Sequence, residues 1–210
     1  MTIQNLIGML TLPLLIGCGS IGHDASLFTC TSGSVFVTER TVGKEIPIHS
    51  PSYGGNELAQ SFQVTSKTKI GSVSLELMRI GTPGVSTLTV RIQGDSSGQP
   101  DGTSLASATL SVASTNILQL SIDQNISTAP AFYVFSFGNN GSITLSSGKT
   151  YWLRVQADYT ASDTDAIEWI ANDTNSYSNG NAAYKDGTGA FVTTLLDAQR
   201  DFVFNLAGGC

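Results

Sequence analysis

Aromatic and amide side chains that could hold a sugar are concentrated between positions 169 and 184. Trp and Tyr rings stack face-on against flat apolar surfaces such as one side of a pyranose, while amides bind hydroxyls. The polar run from Asn172 to Asn181 predicts an exposed loop. Trp169, however, lies between Ile167 and Ile170, a setting typical of a core. The candidate ligand-binding residues are Trp169, Asn172, Tyr177, Asn179 and Tyr184, with Trp152 as a further aromatic.

Carboxylate and hydroxyl oxygens in the Gly-rich stretch from Gly94 to Gly102 could hold a structural calcium ion. Asp95, Ser97 and Asp101 supply such oxygens from what we predict to be one long loop. Calcium favours several oxygen ligands on a flexible loop, but the spacing departs from that of an EF-hand and no closing Glu follows. Asp and Gly are also the ordinary residues of turns. No other cofactor is expected.

Catalytic chemistry lacks a convincing base in this sequence. Its two histidines are His23, in a predicted tether, and His49, in a Pro-bounded loop. Hydrolysis of glycosides needs two carboxylates at a set separation. The acidic residues from Asp158 to Glu168 cluster in sequence, but they fall in a polar loop where such groups are usually solvated. We therefore expect a protein that is not an enzyme.

The run Leu15-Ile16-Gly17-Cys18 closes an uncharged, apolar N-terminal segment. Apolar segments ending in small residues mark exported proteins. The run resembles the lipobox of bacterial lipoproteins, in which the Cys receives lipid. The resemblance implies a signal peptide over residues 1–17, a lipidated Cys18 and an extracytoplasmic location on the outer membrane or cell surface. Residues 1–17 lack the usual Lys or Arg, and a buried apolar strand is the alternative.

Two further cysteines, Cys30 and Cys210, remain if Cys18 takes lipid. An even pair in an oxidising compartment predicts a disulfide, which would join the two ends of the domain. Two free thiols in the chain termini are the alternative. The three cysteines and two histidines show no spacing typical of a zinc site.

The elements that must position these residues are strands. Segments such as Leu58–Val64, Lys69–Ile80 and Lys149–Ala157 alternate apolar and polar residues, as half-buried strands do. We predict an all-β domain over residues 34–210, built as a two-sheet antiparallel β-sandwich of the jelly-roll type, after a tether over residues 18–33. The net charge is −6 with only 10 Lys and Arg, which argues against nucleic-acid binding.

An ordered set of short segments resembles the choice-of-anchor extracellular domains of bacterial surface proteins and carbohydrate-binding-module-like sandwiches. The set spans residues 56–206 and includes Leu58-Ala-Gln-Ser-Phe62, Leu88-Thr-Val-Arg-Ile92, Lys149-Thr-Tyr-Trp-Leu153 and Asp201-Phe-Val-Phe204. The resemblance implies a jelly roll at a cell surface and no particular reaction. The expected function is non-catalytic binding of a glycan or another surface ligand by a lipid-anchored protein. The alternative is a structural envelope protein that assembles with itself or with another envelope protein.

Overall fold

The computed structural model describes residues 34–37, 43–48, 55–84, 87–111, 117, 119–120, 131–138, 143–158, 164–172, 177–186, 190–193 and 201–209. These residues form strands and their connections, without helix, so the predicted all-β class is confirmed. In particular, no helix in the described ranges has the length and apolar character needed to cross a membrane. The strands are β1 (Ser34–Val37), β2 (Gly43–Pro47), β3 (Gly55–Gln63), β4 (Thr68–Ile80), β5 (Thr87–Ser96), β6 (Gln99–Ser111), β7 (Gln119–Leu120), β8 (Ala131–Ser136), β9 (Ile143–Leu145), β10 (Thr150–Ala157), β11 (Ala166–Asn172), β12 (Ala182–Asp186), β13 (Phe191–Val192) and β14 (Phe204–Gly208).

The first sheet is built around the 13-residue strand β4. Along one side of β4, β14 pairs with its first half and β11 with its last four residues. Along the other side lie β9, β8 and β7, of which only the short β7 runs parallel to β4. Outside these, β1 pairs with β14 and β2 pairs with β11. The strand β8 therefore lies at the edge opposite β1 and β2.

The second sheet has six antiparallel strands in the order β13-β12-β3-β10-β5-β6. Its centre is β10, which pairs over seven residues with β3 on one side and with β5 on the other. The strands β13 and β6 form its two edges. The order of pairing joins strands that are far apart in sequence, such as β3 and β10, so long-range contacts define this sheet.

One hydrophobic core lies between the two sheets. Alternation along β10 sends Leu153 and Val155 inward, and β4 contributes Val73 and Leu75 from the opposite side; all four are fully buried. Phe62 of β3 contacts Phe204 of β14 across the interior, with ring centroids 5.9 Å apart. Two facing sheets around a shared core, antiparallel except for the pairing of β7 with β4, are the arrangement of a β-sandwich.

The stretch from Gly94 to Gly102 differs from the predicted long loop. The strands β5 and β6 continue through it as a hairpin, in which Ser96 pairs with Gln99 and Asp95 with Pro100. Only Ser97 and Gly98 form the connection, with φ of 56° and 79°. Positive φ at both central residues is the type I′ geometry that matches the twist of paired strands. The prediction failed because the polar residues that suggested a loop also suit an edge strand.

The N-terminal predictions fall on residues outside the described ranges. These are the signal peptide over residues 1–17, the lipidated Cys18, the tether over residues 18–33 and the disulfide between Cys30 and Cys210. The first described strand begins at Ser34.

Candidate functional site

The structure places most of the predicted aromatic platform in the interior. Trp169 is fully buried, its ring is stacked on that of Phe202 with centroids 4.3 Å apart, and its Nε1–H donates to the carbonyl of Val203 at 2.9 Å. Tyr184 is only 2% exposed, and Asn172 is fully buried. These three residues therefore offer no surface to a sugar, and their prediction as ligand contacts is corrected. Apolar neighbours on their strands draw them into the core.

Tyr177 is half-buried, and its hydrogen bonds hold the turn that follows it in place. Its backbone N–H donates to Oδ2 of Asp201 at 2.7 Å. Its hydroxyl accepts a hydrogen bond from the N–H of Gln63 at 2.9 Å and donates to the Gln63 carbonyl at 3.2 Å. Gly180 lies so close to the ring that an added Cβ would sit 2.5 Å from Cδ1 of Tyr177. Tyr177 thus ties the turn to the end of β3.

Burial raises the pKa of the Tyr177 phenol above its usual value of 10.0. The hydrogen bond with the Gln63 backbone acts against this rise, whereas the negative charge of Asp201 adds to it. The phenol is therefore neutral at physiological pH and serves as a hydrogen-bonding group, since its raised pKa disfavours the charged form.

The turn that Tyr177 holds keeps two amides at the surface. Asn179 and Asn181 are exposed. The backbone of Asn181 is fixed to β3, because its N–H donates to Oγ of Ser61 at 2.7 Å and its carbonyl accepts the N–H of Ser61 at 3.0 Å. Of the predicted ligand contacts, Asn179 is the one whose side chain is exposed.

On the outward surface of the second sheet, polar side chains that are far apart in the sequence lie together. Because Leu153 and Val155 point into the core, Trp152, Arg154 and Gln156 project from the opposite face of β10. Residues in register with them on β3, β5 and β12 share that face, where Trp152 packs with Ala59, Ala183 and Phe191 in a buried apolar cluster. We call this surface the polar face; it comprises Glu57, Arg91, Gln93, Trp152, Arg154, Gln156 and Lys185.

Cations outnumber carboxylates on the polar face. Glu57 is paired with both Arg154 and Lys185, the latter at 3.7 Å. Arg91 donates from Nη1 to Oε1 of Gln156 at 2.9 Å, and it has no carboxylate partner among the described residues. The guanidinium of Arg154 also lies 5.8 Å from the centre of the Phe191 ring. Among the described residues, a chain of net charge −6 therefore presents three cations on this face against two carboxylates, Glu57 and the Asp95 that accepts from Trp152.

Gln93 is a polar-face residue that the sequence analysis missed. It is 1% exposed, yet neither Oε1 nor Nε2 has a hydrogen-bond partner in the part of the chain that the structure describes. Leaving such a buried amide unpaired costs about 1–3 kcal/mol. The neighbouring Trp152 is also 1% exposed, and its Nε1–H donates to Oδ1 of Asp95 at 2.7 Å. The sequence could not show that Gln93 pairs with Trp152, because β5 and β10 are distant in sequence.

The predicted calcium ligands lie in the β5–β6 hairpin. Asp95 accepts hydrogen bonds from Trp152 and, at 3.3 Å, from the N–H of Gly98. Asp101 accepts the N–H of Thr103 at 2.8 Å. Across the described ranges, no three His, Cys, Asp or Glu side chains come together as a metal site would require. In these contacts Asp95 bonds the turn and Trp152 of β10, and Asp101 bonds the backbone of β6.

The acidic residues from Asp158 to Glu168 also separate in the structure. Asp158 accepts the N–H of Thr87 at 2.9 Å, and Asp165 accepts the N–H of Thr82 at 2.7 Å, so each holds the start or end of a neighbouring strand. Glu168 is buried in the first sheet. Asp163, His23 and His49 lie outside the described ranges.

Comparison with known proteins adds no further constraint on the site. The chain matches no protein-family model and no curated protein sequence. Its function therefore has to be inferred from the residues described above.

Proposed function

We propose that this protein is a lipid-anchored, non-catalytic surface protein of jelly-roll type that binds an acidic glycan through its polar face. The observation that carries the proposal is the excess of cations and amides on that face, against a chain of net charge −6. Glycan hydroxyls need hydrogen-bond donors and acceptors, and sugar carboxylates favour guanidinium groups.

Each half-buried polar side chain of the face has a role in this proposal. Arg91 supplies charge that no described carboxylate neutralises, and its partner Gln156 leaves its amide N–H groups for a hydroxyl. Arg154 and Lys185 are fixed by Glu57, so their remaining donors are held at set positions. Gln93 lies two residues from Arg91 on β5, but at 1% exposure it is too buried to contact a sugar and is not among the proposed ligand contacts. Asn179 lies on a turn attached to β3.

Binding of the purified protein to an array of acidic and neutral glycans tests the proposal. Arg91→Ala should weaken binding to an acidic glycan about tenfold or more, equivalent to about 1.4 kcal/mol. Lys69→Ala is the matched control, because it removes one positive charge from β4 in the first sheet. Equal binding by the wild type and Arg91→Ala, or equal losses in Arg91→Ala and Lys69→Ala, would reject the polar face as the site.

The membrane anchor proposed from Leu15-Ile16-Gly17-Cys18 has its own test. In cells given labelled palmitate, the wild type should become labelled and sediment with membranes. Cys18→Ser should lose both properties while the β domain stays folded. An unlabelled wild-type protein, or a Cys18→Ser protein that remains with the membranes, would contradict lipid attachment at Cys18.

A further inference from the structure

The large apolar side chains that the described residues leave exposed lie on two edge strands. Phe132 and Val134 of β8 are 48% and 58% exposed, and Leu105 of β6 is 44% exposed. The strand β8 borders the first sheet and β6 borders the second. The strand β8 lies in the other sheet from the polar face, whereas β6 pairs with β5, which carries Arg91 and Gln93 of that face.

The exposure of Phe132 and Val134 follows from the alternation of β8. Phe135 points inward and is 1% exposed, which turns Phe132, Val134 and Ser136 to the outer face of the first sheet. On the neighbouring strand β4, Val134 is paired with Ser74 and Ser136 with Ser72. These serines are too short to cover Val134, which projects from the sheet. Phe132 is paired with the buried Glu76 and is itself 48% exposed.

The edge of β8 lacks the features by which edge strands normally avoid one another. Natural edges carry charges, Pro or bulges that block pairing. The segment Ala131-Phe-Tyr-Val-Phe-Ser136 contains no charged residue, Pro or Gly. Within the described ranges, β8 pairs with β4 alone and leaves its other edge without a strand. Its uncharged, aromatic and β-branched sequence is typical of strands that pair with their own copies.

Charge distribution favours a second copy of this chain as the partner. The chain carries a net charge of −6, which would oppose contact between most surfaces of two copies. From Gly102 to Gly148, a stretch that includes β8, β9 and nearly all of β6, the sequence has only one charged residue, Asp123. This side of the molecule can therefore meet its own copy without a row of like charges face to face.

We propose that β8 pairs antiparallel with β8 of a second copy and extends the first sheet across a two-fold axis. An isologous contact of this kind uses the same strand twice and closes as a dimer. With the axis at Tyr133, Phe132 of each copy lies opposite Val134 of the other on the outer face. Such aromatic and β-branched cross-strand pairs stabilise sheets. The dimer leaves the polar face of both copies open, so this inference is independent of glycan binding.

Sedimentation of the full-length protein over a wide range of concentrations tests the dimer. The wild type should shift from monomer to dimer as concentration rises, and Val134→Lys should remain a monomer under the same conditions. Both proteins carry the same N-terminus, so their difference reports on β8. Thr109→Lys is the matched control, because it adds the same charge to an exposed position of β6 and should dimerise like the wild type.

Folding of the variants is checked by circular dichroism and thermal unfolding. Because Val134 is 58% exposed, Val134→Lys should keep the wild-type fold. Val134→Thr retains strand propensity without the apolar side chain, and it should dimerise more weakly than the wild type. A wild type that stays monomeric at every concentration overturns the proposal. So does a Val134→Lys protein that dimerises as the wild type does, or loss of the dimer in Thr109→Lys alone.

Discussion

At the scale of single residues, Tyr177 shows how one side chain can serve structure where the sequence suggested binding. Its N–H and hydroxyl connect Asp201 to the last residue of β3, and its ring covers Gly180. A polar loop led us to expect an exposed ring. The hydroxyl instead satisfies backbone groups of Gln63 that would otherwise need water.

The raised pKa of Tyr177 predicts a loss of stability at alkaline pH. The folded-state pKa lies above the usual 10.0, so the contribution of the neutral phenol is complete below pH 10.0 and is lost as pH rises through the folded pKa. Urea unfolding at several pH values should therefore show a steeper alkaline decline for the wild type than for Tyr177→Phe. Other tyrosines and lysines titrate in both proteins, so the difference isolates Tyr177. Parallel curves would contradict this prediction.

At the scale of elements, alternation predicted most strands but not what covers their faces. The predicted Lys69–Ile80 and Lys149–Ala157 differ by one residue at their starts from the observed β4 and β10. The period of two assigns Trp152 and Leu153 to opposite faces. It does not show that Trp152 is 1% exposed, because that depends on Asp95 and on neighbouring strands. The polar face could not be predicted for the same reason.

In the hairpin between β5 and β6, the backbone of Ser97 is strained, and substitutions at this position can test it. Ser97 has a φ of 56°, a region that Asn adopts readily and that β-branched residues strongly disfavour. Ser97→Asn should raise the free energy of unfolding by up to about 1 kcal/mol, and Ser97→Val should lower it by about 1–3 kcal/mol. Ser97 is exposed, so packing changes little. Equal stabilities for the two variants in urea unfolding would show that the type I′ turn is absent.

At the scale of the whole molecule, a buried polar pair joins the two sheets inside an otherwise apolar core. Gln60 of β3 donates from Nε2 to Oδ1 of Asp201 at 3.0 Å and accepts the N–H of Phe202 at 2.8 Å. Both side chains are fully buried. They are separated by 141 residues in sequence, so no local pattern could have indicated that they meet. Their contact fixes the segment before β14 against the second sheet, together with the turn that Tyr177 holds.

Asp201→Asn should therefore lower the free energy of unfolding of the whole domain. One carboxylate oxygen accepts Gln60 and the other accepts the N–H of Tyr177, whereas an amide can accept only one of these bonds and turns a donor toward the other. A buried group left unpaired in this way costs about 1–3 kcal/mol. Urea unfolding should show that loss in a single transition, with faster hydrogen exchange at both Tyr177 and Phe202. Asp158→Asn is the control, since its exposed carboxylate accepts one described bond, from Thr87, and an amide oxygen can replace it. If Asp201→Asn were no less stable than Asp158→Asn, or if exchange rose at Tyr177 alone, the pair would not be what links the two sheets.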